Sequence, residues 1–147
     1  MSSRPSRPKV LFLCTGNSCR SQMAEGWAHT LKSDSIEPYS AGIEKHGLNP
    51  RAIRVMQEAG VDITRQRSKT VEELGDVPFD IIITVCGHAD EHCPAFRGAP
   101  RVMHIGFDDP PALAKDAGSE EEALSHFRRV RNEIREFVLG LPNDVQS

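Results

Sequence analysis

With 147 residues, 38% of them hydrophobic and 27% charged, and a formal net charge of −3, the chain has the composition of one ordinary globular domain. That length can bury roughly 68–70% of the unfolded surface in a single core, so no second domain is required. The balance excludes the basic footprint of a nucleic-acid binder, and no run approaches the ~20 apolar residues of a membrane span.

The opening Met1–Pro8 is polar and proline-rich, lacks the apolar stretch of a signal peptide, and reads as a mobile tail. The domain is expected over residues 9–141, with 142–147 as a C-terminal tail. A cytoplasmic location is expected. Structural disulfides are rare there, so four cysteines mean metal, redox chemistry, catalysis or burial.

Val10-Leu11-Phe12-Leu13 predicts a short buried strand, and Met23, Ala24, Trp27, Ala28 and Leu31 predict one apolar helical face beginning near Ser21. Ile36 to Ala41 reads as a second strand closed by Gly42. Asn49-Pro50 is a cap followed by proline at the first helical position, with Ile53, Met56 and Ala59 as the stripe of a helix that stops at Gly60. Phe79 to Val85 is β-branched and nearly continuous, as a central parallel strand should be, and leads into Cys86. Arg101 to Phe107 predicts a fourth strand, leading into Asp108-Asp109-Pro110-Pro111. Ser119-Glu120-Glu121-Glu122 reads as a capping box. It opens a last helix with Ala123, Phe127, Val130, Ile134, Phe137 and Leu141 as its seam; Arg128, Arg129, Arg131 and Arg135 fall on a solvated face. Strands alternating with helices predict a single α/β domain, a four-stranded parallel sheet flanked by helices on both faces, with ligands at the strand C-terminal edge.

Three chemistry-bearing segments follow strands at that edge. In the first, Cys14-Thr15-Gly16-Asn17-Ser18-Cys19-Arg20-Ser21 spans a strand-to-helix junction, where backbone amides and the helix dipole converge on one anion. Gly16 permits a tight curl, Arg20 can grip two anion oxygens, and the field is expected to lower the pKa of Cys14 and make it a nucleophile. Ser21 can donate a hydrogen bond to its thiolate. Cys19 suits a packing role in the turn. The bland alternative is a buried strand-end cysteine beside a surface arginine.

The second segment holds Cys86 and Cys93, seven residues apart. A continuous helix would separate them by about 10.5 Å along its axis, beyond the ~7 Å a disulfide tolerates, so pairing requires unwinding. A zinc site using these cysteines with His88 or His92 is the competing reading, and its spacings fit structural zinc patterns poorly; no metal is expected. In the third, a carboxyl at the mouth of an anion cradle suits protonation of a leaving oxygen. Asp109 is preferred because Pro110 fixes its backbone, with Asp108 as the alternative.

On these residues the chain resembles the thioredoxin-coupled arsenate reductases, relatives of the low-molecular-weight protein tyrosine phosphatases. The resemblance spans about Lys9 to Leu141. The Cys-to-Arg loop and the Asp-Pro pair are common to both branches, whereas Cys86, Cys93 and the run Asn17 to Glu25 look like the reductase branch. The resemblance implies a relay: Cys14 attacks arsenate while Asp109 protonates the departing oxygen, Cys86 attacks the Cys14 sulfur as arsenite leaves, and Cys93 then frees Cys14. The resulting Cys86–Cys93 disulfide is reduced by thioredoxin. No cofactor is expected, composition gives no nucleic-acid or membrane partner, and a compact single domain leaves a monomer as the default. Family members also resemble one another in a monovalent-cation site that would fall at Asn17, Glu25, Ser40 and Lys69; here a lysine replaces the acid, so potassium is expected to be dispensable. Phosphomonoester hydrolysis, or a non-catalytic thiol protein that binds metal, are the alternative functions.

Overall fold

The computed structural model describes residues 7–94, 96, 98 and 100–143. Most of the expected N-terminal tail and residues 144–147 lie outside them. Arg7 and Pro8 are held: Arg7 Nη1 donates to the Ile36 carbonyl at 3.3 Å, and the Pro8 carbonyl accepts from the Glu37 amide at 2.8 Å.

The elements run β1 (Lys9–Cys14), α1 (Arg20–Leu31), β2 (Glu37–Gly42), α2 (Pro50–Glu58), α3 (Val71–Leu74), β3 (Ile81–Thr84), α4 (Gly87–Glu91), β4 (Arg101–His104), α5 (Pro110–Ala114) and α6 (Glu120–Leu139). Among the described residues the strands form one sheet of order β2-β1-β3-β4, parallel throughout. The chain steps from β1 to β2 on one side and returns to place β3 on the other. The crevice beyond the end of β1 is therefore a topological switch point, where ligands of such sheets bind.

The apolar pattern explains the layers. Val10 to Leu13 and Ile82 to Ile83 are fully buried, as expected of central strands covered on both faces. Every residue from Ser21 to Ala28 is buried, because α1 lies between the sheet and α6. Trp27 is in this core and donates its indole N–H to the Arg131 carbonyl at 3.1 Å. On α6 the buried seam is Ala123, Leu124, Phe127, Val130, Ile134 and Val138, with Phe137 half-buried.

Several boundaries differ from the sequence reading. β3 begins at Ile81 rather than Phe79. β4 ends at His104, since it is a largely exposed edge strand, although amide bonds from Ile105 to Thr84 and from Phe107 to Val85 carry the chain onward. On α2 the buried stripe is Ala52, Val55 and Met56; Ala59 is exposed at the helix end. The short α3 and α5 were not anticipated. Asn49 caps α2 by accepting from the Arg51 and Ala52 amides at 2.9 and 3.2 Å, and Ser119 Oγ caps α6 by accepting from Glu122 N at 3.1 Å. The Glu122 carboxylate takes the Gly118 amide rather than that of Ser119, so the box is displaced by one residue. Of the expected solvated arginines, Arg131 is largely buried and donates to the Val55 carbonyl at 2.8 Å, while Arg135 lies 5.7 Å from the Trp27 ring.

Among the described residues no helix is long and apolar enough to cross a membrane. One glycine is dictated by close approach. A Cβ on Gly42, which pairs with Cys14 in the β1–β2 register, would fall 2.8 Å from the Thr15 carbonyl oxygen, 2.9 Å from Asn17 N and closer still to the Glu44 carbonyl oxygen. All three are backbone atoms, so relief requires moving the loop itself. Gly42→Ala is expected to destabilise the fold by about 2 kcal/mol or more, measured by urea unfolding.

Candidate active site

The loop from Cys14 to Cys19 is shaped by where its carbonyls go. Those of Cys14, Thr15, Gly16 and Ser18 accept from the amides of Ile43, Glu44, His46 and Asn49 at 2.9–3.1 Å, and Ser68 Oγ adds a bond to the Gly16 carbonyl. The carbonyls thus face outward, towards the segment after β2. The amides of Gly16 to Cys19 take no protein acceptor among the described residues and are left, with the N-terminus of α1, for an anion.

Asn17 holds this shape. It is the loop's left-handed residue, at φ 48°, a role the sequence reading gave to the flexibility of Gly16. Its buried carboxamide donates to Ser21 Oγ and Ser40 Oγ at 2.9 and 3.0 Å and accepts from Gln22 Nε2 and the Lys69 amide, each at 2.9 Å. Ser21 Oγ is held by Asn17 as an acceptor, and among the described residues no bond from its hydroxyl to Cys14, the one expected, is present.

The loop walls a cavity of about 270 Å³ lined by Cys14, Thr15, Gly16, Ser18, Cys19, Arg20, His46, Asp109 and Pro111. Arg20 reaches across it, donating from Nη1 to the Phe107 carbonyl at 2.9 Å, with Nη2 3.7 Å from Asp109 Oδ1. Asp109 is half-exposed and faces the cavity from the N-cap of α5, whereas Asp108 points away to Arg129 at 2.8 Å. Cys19 is buried, which pushes its thiol well above the ordinary range and keeps it protonated.

The sheet brings the second segment to the same place. Leu13 pairs with Thr84, so the chain leaving β3 runs beside the end of β1 and brings the Cys86 thiol to the start of the cradle loop. Cys86 Sγ also lies 3.1 Å from Thr15 Oγ1 and accepts from the Ala89 amide at 3.4 Å. Hydrogen bonding from Cys14, then from Thr15 and Ala89, outweighs burial and pulls Cys86 down to about 5. The same contact with Cys86, together with burial, holds Cys14 up against the pull of Arg20. The low-pKa thiol expected at Cys14 therefore falls on Cys86 instead, while Cys14 is held above the ordinary thiol range.

Cys93 lies beyond the end of α4 and is half-buried; the helix between the cysteines covers only Gly87–Glu91. All four cysteines are free thiols. Among the described residues no group of three or more His, Cys, Asp or Glu side chains is arranged to hold a metal ion.

Beneath the cradle, Asn17, Glu25, Ser40 and Lys69 converge. Lys69 Nζ lies 3.7 Å from Glu25 Oε1 and donates to Ser40 Oγ at 3.4 Å and to the Arg67 carbonyl at 3.0 Å. Burial lowers the Lys69 pKa. Although burial works against Glu25, hydrogen bonds from His29 and Ser40 and the Lys69 charge bring it below the ordinary carboxylate value. An ammonium stands among these oxygens, so the residues present do not fit a free monovalent cation.

These features agree with the sequence comparison: the family model described as low molecular weight phosphotyrosine protein phosphatase matches residues 9–147. The chain belongs to that family. It is 50% identical over 125 residues to the arsenate reductase of Halalkalibacterium halodurans, covering 85% of this chain and 88% of that one. To the arsenate reductase of Bacillus subtilis it is 49% identical over 125 residues, with the same coverage of 85% and 88%. A solved structure described as an arsenate reductase in the phosphate binding state superposes with a TM-score of 0.74 at 33% identity, over 95% of this chain and 99% of that one.

His46 and Gln22 were not anticipated as site residues. His46 carries no motif signal, and Gln22 enters only as part of the run Asn17 to Glu25, with no role of its own. In a titration followed by thiolate absorbance, the first ionisation of the reduced protein is expected near about 5. Cys14→Ala is expected to return Cys86 towards the ordinary thiol range, because its strongest hydrogen-bond donor is gone. An unchanged titration would show that Cys14 does not lower the Cys86 thiol.

Proposed function

We propose that this protein reduces arsenate to arsenite through a relay of Cys14, Cys86 and Cys93, regenerated by a dithiol partner of the thioredoxin kind. One observation carries the reading: a second thiol, Cys86, stands 3.1 Å from Thr15 Oγ1, next to Cys14 at the wall of an anion cradle. A phosphatase, whose covalent intermediate is resolved by water, has no use for that second sulfur.

The steps follow from the geometry. Arsenate binds against the loop amides and Arg20. Transfer of the Cys14 proton to the Cys86 thiolate leaves Cys14 as thiolate, which attacks arsenic. The departing oxygen takes a proton from Asp109, across the cavity, and leaves as water. Cys86, once deprotonated, attacks the Cys14 sulfur. The sulfur–arsenic electron pair stays with arsenic, reducing As(V) to As(III), and a Cys14–Cys86 disulfide forms. Cys93 then attacks Cys86 and releases Cys14 as thiolate. The helix to be opened for this step is five residues long and begins with Gly87, so little helical structure opposes it. Two electrons from the external dithiol reduce the final Cys86–Cys93 disulfide.

Curated relatives about 50% identical over most of the chain are named arsenate reductases, which supports this reading over phosphotyrosine hydrolysis. So does the rim of the cavity, where His46 and Pro111 stand and no aromatic platform for a phenyl ring is present among the lining residues.

Supplied with arsenate, thioredoxin, thioredoxin reductase and NADPH, the protein is expected to oxidise NADPH in an arsenate-dependent way. Cys14→Ser, Cys86→Ser and Cys93→Ser should each lower turnover by at least about 100-fold. If arylphosphate hydrolysis exceeds arsenate reduction and survives Cys86→Ser, the phosphatase reading replaces this one. We also propose that Lys69 supplies the charge that a monovalent cation gives in relatives. Replacing potassium by a bulky organic cation should then leave the KM for arsenate unchanged, and a clear rise in affinity with potassium would overturn it.

A further inference from the structure

We propose that Gln22 is a positioning residue of the cradle: its side chain holds the Asn17 carbonyl and so turns the Ser18 amide toward the bound oxyanion, with Gln66 locking Gln22 in that orientation. The inference rests on reading the Cys14–Arg20 loop as an oxyanion cradle, and deepens that reading.

The argument begins with the peptide unit. A trans peptide is planar, with its C=O and the following N–H pointing in opposite directions, so a carbonyl held on one side aims the next amide to the other. Backbone amides hold the carbonyls of Cys14, Thr15, Gly16 and Ser18 at 2.9–3.1 Å, and through them set the amides of Thr15, Gly16, Asn17 and Cys19. The Asn17 carbonyl is the exception. Among the described residues no backbone amide bonds it, and Gln22 Nε2 donates to it at 3.1 Å. The amide that follows this carbonyl is that of Ser18, which lines the cavity. One amide of the cradle thus takes its direction from a side chain in the first turn of α1.

Gln22 has a single orientation open to it. Besides the Asn17 carbonyl, Nε2 donates to Asn17 Oδ1 and to the Arg67 carbonyl, each at 2.9 Å. Turning the carboxamide over would set its oxygen against three oxygens that only accept. Gln66 closes the other end, donating from Nε2 to Gln22 Oε1 at 2.7 Å and to the Gln22 carbonyl at 3.0 Å. Gln22 is fully buried, so removing its donor leaves the Asn17 carbonyl unpaired with no ready substitute. The Asn17 side chain is less dependent on it. That carboxamide keeps the Lys69 amide and the hydroxyls of Ser21 and Ser40 as partners, so the loop stays anchored while one peptide is freed to rotate.

Sulfate is the probe, and the amide resonances of the reduced, isotopically labelled protein are the readout. In the wild type the amides of Gly16, Ser18 and Cys19 should move downfield as sulfate binds. Gln22→Met keeps the length of the side chain and removes its donor. There the Ser18 response should be largely lost while Gly16 and Cys19 keep theirs, and sulfate should bind about tenfold more weakly. Gln66→Met leaves Gln22 in place and removes only its lock, so the same selective change should appear with a loss of about threefold.

A Ser18 response that is unchanged in Gln22→Met overturns the proposal. So does a loss shared equally by all three amides, which marks a general loosening of the loop. Wild-type protein in which sulfate moves none of them removes the cradle and this proposal together.

Arsenate turnover is a separate readout. Selective loss of the Ser18 response in Gln22→Met, with no arsenate-dependent NADPH oxidation by the wild type, would sink the reductase reading and leave the role of Gln22 standing. Arsenate reduction with an unchanged Ser18 response would do the reverse.

Discussion

The buried carboxamide of Asn17 is the constraint on which the site depends. Its left-handed backbone turns the chain at the bottom of the cradle, a conformation costing roughly 1–2 kcal/mol for a residue with a side chain. Hydrogen bonds to the start of α1, to β2 and to the segment before α3 offset that cost. Each of those elements is anchored in the core, so the loop inherits their rigidity. With the carbonyls of Cys14, Thr15, Gly16 and Ser18 bound on the outside, the amide groups are committed to the inside before any anion arrives, which is the preorganisation that makes such donors effective.

A second constraint comes from the sheet. Cys14 and Cys86 are 72 positions apart in sequence, but β1 and β3 are hydrogen-bonded neighbours whose ends are level. The contact between the sulfurs follows from strand register. It raises the Cys14 thiol and lowers that of Cys86. Cys19, although inside the same loop, is buried among apolar neighbours and excluded from the contact.

Much of the scaffold was legible because it is written locally. The apolar run of β1, the Asn49-Pro50 cap of α2 and the Ser119 start of α6 each depend on a few adjacent residues. Features that depend on partners distant in sequence were not legible. β4 is shorter than its apolar run suggests because it is an exposed edge, and α5 hides in a five-residue segment opened by two prolines. Arg131 looked solvated by helical phase, yet the Val55 carbonyl of α2 draws it inward. For the site, Cys14, Arg20 and Asp109 could be named from motif chemistry. The depressed Cys86 thiol, the tether from Ser21 to Asn17 and the imidazole over Gly16 could not, since each arises where non-adjacent segments meet.

The lysine beneath the cradle carries a consequence of its own. A positive charge borne on the chain is present in every folded molecule and obeys no mass action, unlike an ion drawn from solution. Glu25 and the Asn17–Ser40 contacts above it therefore keep the same neutralising partner in dilute buffer and in brine. On the proposed role of Lys69, the foundation of the cradle is insulated from the ionic composition of its surroundings, and what salt can still influence is the open rim.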